Sequence, residues 1–274
     1  MRPVRVSATR ALALASATIL IIGLMATMGC GGEKKAPKDP FAGQTAEEIF
    51  QHAQRQMEKK NYSRARTTLQ AALGRTTTTP DLIAKVHLAL ADAYFYDGGI
   101  INLAEALSRY TNFMTFYPNH ERVDYAQYQV ALCHLKQVLT PDRDQTQTRR
   151  ALDEFLKLRG QFPNSQYVAP AEEKANEARE LLAESEFRIG QYYFRNEAYE
   201  GAVDRFRLVL EQFPLYSKKP KLYLLLGRSL IGLDREEEGK LYLQKLIAEY
   251  PDSDAAYEAA VLLEEPASAT GEGG

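Results

Sequence analysis

The fold is decided by residues 190–214, which read GQYYFRNEAYEGAVDRFRLVLEQFP. Within this stretch Ala202 and Phe206 are four residues apart, so they lie on one face of a helix. A small residue lets a second helix approach closely, and the large residue fills the groove beside it. Phe213-Pro214 ends the helix, because proline restricts the residue before it and donates no backbone hydrogen bond. The stretch therefore predicts a pair of closely packed helices.

The same register recurs along the chain. The prolines that end a helix follow an aromatic residue at Tyr117-Pro118, Phe162-Pro163, Phe213-Pro214 and Tyr250-Pro251. Twelve residues before each proline stands a small residue: Ala106, Ala151, Ala202 or Gly239. Eight residues before each proline stands a large one: Tyr110, Phe155, Phe206 or Leu243. These are the spacings of the tetratricopeptide repeat, and residues 53–80 form a first copy in which Thr76–Thr79 replace the aromatic-proline corner.

The sequence thus predicts an all-α fold of five tetratricopeptide-like helix pairs, stacked as a right-handed superhelical solenoid. The turn at Asp97-Gly98-Gly99 and the loop at residues 140–145 lengthen the second and third repeats. An uninterrupted helical pattern over residues 171–194 predicts a long helix that bridges a front and a back half. The predicted domains are a signal peptide (1–29), a lipidated cysteine with a flexible tether (30–44), three front repeats (45–169), the bridging helix with two back repeats (170–265) and a disordered tail (266–274).

The N-terminal residues indicate export. Arg2, Arg5 and Arg10 precede an apolar run over residues 11–28, as in a signal peptide. Met28-Gly29-Cys30 then resembles the lipobox of bacterial lipoproteins, in which the cysteine is lipidated, although Thr27 stands where leucine is usual. The alternative is an uncleaved signal anchor. Lipid at Cys30 is the one covalent group expected, and no other cofactor is expected.

Charge and chemistry argue against nucleic-acid binding and against catalysis. The chain has 34 Lys and Arg against 36 Asp and Glu, and without its three N-terminal arginines the balance is 31 to 36, a net charge of −5. Phosphate neutralisation requires a concentrated basic face, which this composition lacks. The four histidines have no metal-ligand spacing, and no phosphate-binding or nucleophile-elbow motif occurs. Glu184-Ser185-Glu186-Phe187 resembles the opening of a lytic transglycosylase site, but repeat helix follows it.

One family accounts for the lipobox, tether and helix pairs together. The segments from Pro118 to Tyr128, Asp142 to Asp144 and Ala151 to Tyr167, with the long helix that follows, resemble the BamD family of the outer-membrane β-barrel assembly machinery. The resemblance covers residues 45–253. It implies a lipid-anchored subunit on the periplasmic face of the outer membrane, which binds unfolded outer-membrane proteins, a partner with POTRA domains and other assembly subunits.

Two surfaces follow from the register and from this resemblance. First helices of the front repeats would line a peptide groove with Gln54, Lys85, Asp92, Phe95, Tyr96, Tyr125 and Tyr128. Aromatic side chains with a few polar groups suit an extended peptide, although the same aromatics could simply pack the next repeat. The resemblance puts the POTRA-binding surface on the back half, at Asp204, Arg205 and Arg207.

A second function stays open at this stage. Periplasmic tetratricopeptide proteins of the Tol-Pal and cell-division type also end their repeats in Tyr-Pro. Those proteins usually have an N-terminal coiled coil and no lipidated cysteine, whereas residues 33–44 and the first repeat have no heptad pattern.

Overall fold

Residues 39–264, the part of the chain that this computed structural model describes, contain α-helices and no strand. The helices are α1 Ala46–Glu58, α2 Tyr62–Leu73, α3 Pro80–Asp97, α4 Ile100–Phe116, α5 Val123–Leu135, α6 Thr146–Gln161, α7 Val168–Arg195, α8 Tyr199–Gln212, α9 Lys219–Ile231, α10 Glu236–Glu249 and α11 Asp254–Glu264. The prediction of an all-α fold is confirmed. The predicted signal peptide, Cys30 and the tail at 266–274 lie outside the described residues.

Consecutive helices pack against each other along the whole series, as stacked helix pairs do. The five predicted pairs are α1–α2, α3–α4, α5–α6, α7–α8 and α9–α10. The sequence pattern did not assign α11, which packs on α9 and α10 and follows the last pair. Its buried residues are Ala256 and Ala259.

The four aromatic-proline corners share one geometry. The aromatic residue caps the preceding helix with φ between −126° and −137° and ψ between 54° and 65°. Its N–H donates to the carbonyl four residues earlier, as Tyr117 does to Phe113 at 2.8 Å and Tyr250 to Leu246 at 2.9 Å. The following proline cannot continue the ladder, so the helix ends as predicted.

The small and large residues of the register pack as the spacing predicts. Ala202, Phe206 and Leu243 are fully buried. A Cβ atom added to Gly190 would lie 2.5 Å from Cε1 of Phe206, and one added to Gly227 would lie 2.7 Å from Cδ2 of Leu243. The first helix of each back repeat therefore needs glycine where the second helix presses its large side chain.

The first corner, without an aromatic-proline pair, is held by threonine hydroxyls. Thr78 Oγ1 donates to the carbonyls of Ala72 and Arg75 at 2.9 and 2.7 Å. Thr79 Oγ1 accepts from the N–H of Leu82 at 3.2 Å, and Pro80 is the first residue of α3. These bonds supply a partner for a carbonyl at the end of α2 and for an N–H at the start of α3, where proline at the first position leaves one fewer N–H to satisfy.

The long helix α7 has 28 residues and belongs to two cores. Ala171 and Ala175, near its start, pack in the cluster of Phe155. Phe187, near its end, packs in the cluster of Phe206. At 1.5 Å per residue such a helix is about 42 Å long, so it carries the chain from the third repeat into the fourth.

Candidate functional site

A concavity on the back half contains two of the three residues predicted to meet a partner. It has a volume of about 680 Å³, and Asp204 and Arg205 of α8 both line it. The other lining residues are Tyr193, Glu197, Ala198, Tyr199, Glu200, Gly201, Leu208 and Leu233. Aromatic walls with an arginine and several carboxylates at the rim are the composition of a protein-binding surface.

The floor of this concavity follows from a close helix contact. A Cβ atom on Gly201 would lie 3.2–3.3 Å from three ring carbons of Tyr193, so the tyrosine of α7 lies across the start of α8. Tyr193 is also in edge contact with the exposed Tyr192, with 6.0 Å between ring centroids. The arrangement leaves half-buried aromatic surface beside the charged rim.

Arg205 already has a partner within the chain. Its Nη1 donates to Oε2 of Glu186 at 2.7 Å, and Oε1 of the same carboxylate lies 3.6 Å from Nη2 of Arg149. The Glu186 side chain is 13% exposed and that of Arg205 is 39% exposed. The carboxylate therefore joins an arginine of the third repeat to one of the fourth, and the guanidinium edge of Arg205 stays accessible.

The predicted partner residues do not all share one surface. Arg207 forms an ion pair with Glu238 of α10 and does not line the concavity. Asp204 is exposed beside Arg205. The structure thus brings Asp204 and Arg205 together and directs Arg207 toward the fifth repeat.

The carboxylate that suggested a transglycosylase site is held by neighbouring groups. Glu184 accepts from the hydroxyl of Tyr216 at 2.6 Å, from Lys218 at 2.9 Å and from Arg188 at 2.9 Å. Burial is the largest influence on its pKa and acts upward, but these three donors outweigh burial and lower the pKa of Glu184. A general acid requires the opposite shift, so this group serves as an anchor for the α8–α9 corner.

In the front half, the predicted groove residues Phe95 and Tyr125 belong to the core, and Asp92 is hydrogen-bonded at its edge. Asp92 Oδ1 accepts from the hydroxyls of Tyr110 at 2.6 Å and Tyr125 at 2.8 Å. Burial raises the pKa of Asp92, against the lowering influence of these two bonds and of Arg122. Phe95 and Tyr125 are 3% and 8% exposed, respectively. Both aromatics thus pack inward against Tyr110 of α4, and Tyr125 also contacts Tyr167 in the corner before α7, while their place in a client groove stays a prediction.

The remaining groove candidates are more accessible. Tyr128 is half-buried and stacks on Tyr167, with 5.3 Å between centroids and 19° between ring planes. Tyr96 is 49% exposed, Gln54 is half-buried and Lys85 is exposed. The Lys85 amine bonds the carboxylate of Asp81 at 2.6 Å, and this bond raises the pKa of the amine.

Sequence reasoning missed Glu186, Tyr193, Tyr199 and Tyr167. Tyr167 could have been found from the sequence. It stands four residues after the proline of its corner, where two other corners have Arg122 and Lys218 instead of an aromatic residue. No local signal identified Glu186, because its two arginines are 37 residues before it and 19 after it.

Within residues 39–264 no helix is both long and apolar enough to cross a bilayer, and no group of acidic, histidine and cysteine side chains is arranged to hold a metal ion. Cys133 is fully buried, and burial raises the pKa of its thiol to about 12. His134 next to it bonds Gln147 at 2.8 Å, so the two side chains do not form a reactive pair.

Sequence comparison connects this arrangement to known proteins. The YfiO family, described as outer membrane lipoprotein, matches residues 42–228, and the tetratricopeptide repeat family matches residues 222–253. Outer membrane protein assembly factor BamD of Caulobacter vibrioides is 25% identical over 228 residues, which cover 83% of this chain and 73% of the relative. BamD of Neisseria gonorrhoeae is 27% identical over 201 residues (69% and 74%). BamD of Rickettsia prowazekii is 27% identical over 244 residues (86% and 90%).

Proposed function

Because the chain belongs to the YfiO family of outer membrane lipoproteins, we propose that it is a subunit of the machinery that assembles β-barrel proteins in the outer membrane. Its role is that of a scaffold without catalytic chemistry. A stack of rigid helix pairs offers separate surfaces for several partners, and the one carboxylate that resembled a catalytic acid is neutralised by Lys218 and Arg188.

The observation that carries the proposal is the concavity at Asp204 and Arg205. The expected occupant is a POTRA domain of the barrel-forming partner. Arg205 donates to Glu186 through one nitrogen, and a guanidinium has five N–H donors, so it can also donate to a second carboxylate on the partner. Tyr193 and Tyr199 supply apolar surface around that contact, and interface hot spots are rich in tyrosine and arginine.

Unfolded outer-membrane proteins are proposed to bind the front half at Tyr128 and Tyr167. Both rings are half-buried, so part of their surface is available to an apolar side chain. Lys174, Glu173 and Glu177 of α7 lie near enough to influence the pKa of Tyr128, which burial raises above its ordinary value. An extended peptide would find an aromatic contact with polar groups beside it.

The anchor of the molecule is proposed to be lipid on Cys30, which holds the helical body at the periplasmic face of the outer membrane. A lipoprotein cysteine carries several acyl chains, and more than one chain is needed for stable anchoring. Cys30 lies outside the described residues, and the support comes from the sequence around it and from the lipoprotein family.

Purification of the tagged full-length protein from detergent-solubilised membranes tests this function. Copurification of a β-barrel protein with POTRA domains is the expected result. Recovery of peptidoglycan-associated proteins without such a barrel protein would contradict it, and would favour the envelope role of the Tol-Pal and cell-division type.

A further inference from the structure

The front repeats expose apolar side chains at the turns inside their helix pairs. Ile100 and Ile101 are 78% and 85% exposed, and both follow Gly98 and Gly99 at the start of α4. The glycines have φ of 74° and 78°, a conformation that suits glycine, and no atom lies within 4 Å of a Cβ built on either. The turn therefore projects two isoleucines away from the body.

Tyrosine rings stand directly behind this turn. Tyr62, at the start of α2, stacks on Tyr96, near the end of α3, with 6.2 Å between centroids. Arg66 and Asp97 join the same two helices by an ion pair of 2.7 Å. The α1–α2 and α3–α4 turns thus lie side by side, and Leu139 of the α5–α6 loop is 55% exposed at the neighbouring turn. We call Tyr62, Tyr96, Ile100, Ile101 and Leu139 the turn-end patch.

Lysines flank the turn-end patch. Lys59 and Lys60 are exposed in the α1–α2 turn, three and two residues before Tyr62. The amine of Lys136 lies 4.4 Å from the ring centroid of Phe95, next to Tyr96. Glu58 and Asp97 are acidic residues of these two turns, and Arg66 neutralises Asp97. Lys59, Lys60 and Lys136 thus place amines around the patch, beside Glu58 and the exposed Asp142 and Asp144 of the α5–α6 loop.

This combination is the one found where proteins enter a bilayer interface. Aliphatic side chains enter the acyl region, tyrosine rings lie at the headgroup level and lysine amines reach anionic headgroups. A projecting pair of isoleucines suits a bilayer better than a folded partner, which would require a cleft to receive them. We propose that the turn-end patch inserts into the inner leaflet of the membrane to which the chain is anchored.

The proposal rests on the lipid anchoring proposed above, and the chain length permits it. Residues 40–43 form a turn, and the eight residues from 31 to 38 could span at most about 30 Å if extended. The 18-residue helix α3 is about 27 Å long, so the turn end of the front repeats is within reach of the anchored bilayer. Insertion would hold the front repeats close to the membrane surface.

The chain contains no tryptophan, which makes a direct test available. Ile101→Trp and, as matched control, Leu215→Trp are purified as full-length lipoproteins and reconstituted in phosphatidylethanolamine–phosphatidylglycerol vesicles with brominated acyl chains. Leu215 is 81% exposed in the α8–α9 corner, at the opposite end of a repeat. The expected result is blue-shifted emission that brominated lipid quenches in Ile101→Trp, with unquenched emission in Leu215→Trp. Adding Lys59→Glu and Lys60→Glu should reduce the quenching.

Flotation of the same vesicles separates the two ways to fail. If both variants float and Ile101→Trp is not quenched, the insertion is overturned while the anchoring stands. If neither variant floats, the anchoring fails and the insertion falls with it. A shift of the Ile101→Trp emission by a barrel-protein peptide, without any effect of brominated lipid, would assign the patch to clients and overturn the proposal.

Discussion

Arg205 of α8 and Glu186 of α7 are joined by a hydrogen bond of 2.7 Å at the edge of the back-half concavity. Because Arg149 of α6 approaches the other oxygen of Glu186 at 3.6 Å, one carboxylate connects the third and fourth repeats. Such half-exposed pairs are screened by solvent and contribute about 0–1 kcal/mol to stability. The ion pair therefore orients Arg205 more than it stabilises the fold, and the other N–H groups of the guanidinium can donate to a partner.

Gly190→Ala tests the packing of the fourth repeat. A Cβ at this position would lie 2.5 Å from the ring of Phe206, so the substitution overpacks the contact. Gly160→Ala is the matched control, since Gly160 is an exposed helical glycine with no atom within 4 Å of its Cβ position. Both variants gain helix propensity, so Gly190→Ala should be less stable than Gly160→Ala by about 1–3 kcal/mol. Equal free energies of unfolding in urea would contradict the register.

Asp92→Asn tests the buried carboxylate of the front half. Burial raises the pKa of Asp92 above its ordinary value of 3.8. As the pH rises through 3.8, the Asp92 carboxyl ionises in the unfolded chain before it ionises in the folded one. This group therefore lowers the free energy of unfolding until the pH passes its raised pKa in the folded state. Asparagine keeps an acceptor for Tyr110 and Tyr125 and does not titrate.

We therefore expect wild type to lose stability relative to Asp92→Asn as the pH rises from about 4 toward neutrality. The other carboxylates titrate alike in both proteins, so their contribution cancels in the difference between the two free energies of unfolding measured in urea. A difference that stays constant over this range would show that the folded environment does not raise the pKa of Asp92.

Cys30→Ser tests the anchor. The chain has two cysteines, and the second, Cys133, is fully buried. Radioactive palmitate should label wild type and Cys133→Ala but not Cys30→Ser, and fractionation should find Cys30→Ser outside the outer membrane. Unchanged labelling of Cys30→Ser would place the lipid elsewhere.

Tyr128→Ala tests the proposed client surface. Loss of the ring removes the stack on Tyr167, and we expect roughly tenfold weaker binding of a peptide copied from the last strand of a barrel protein. Tyr257→Ala is the control, because Tyr257 is 65% exposed on α11 in the back half. Equal affinity of the two folded variants, measured by fluorescence anisotropy, would remove Tyr128 from the client surface.

The repeats could be predicted from the sequence because their signals are local. A corner proline and the two residues eight and twelve positions before it belong to one helix, and their order alone fixes which face is buried. The helix α11 was not assigned, since it is short and no aromatic-proline corner follows it within the described residues.

The groove and the partner surface were predictable only in part. Helical periodicity gives the face of a side chain but not the neighbour that covers it, so Phe95 and Tyr125 could not be separated from the more accessible Tyr128. Arg205 and Arg207 are two residues apart on one helix, yet one bonds α7 and the other bonds α10. Such long-range ion pairs depend on how the helices stack, which spacing within one helix does not encode.

Docking of a POTRA domain at Arg205 is tested by the affinity of Arg205→Glu for the isolated POTRA domains of the barrel partner. Reversal of charge at the concavity should cost about 2–5 kcal/mol of binding free energy, or roughly 30-fold or more in Kd. Arg207→Glu, on the same helix but outside the concavity, should bind within about threefold of wild type. Calorimetric titration of both variants, with unchanged melting temperatures, would support docking at Arg205. Wild-type affinity of Arg205→Glu would contradict it.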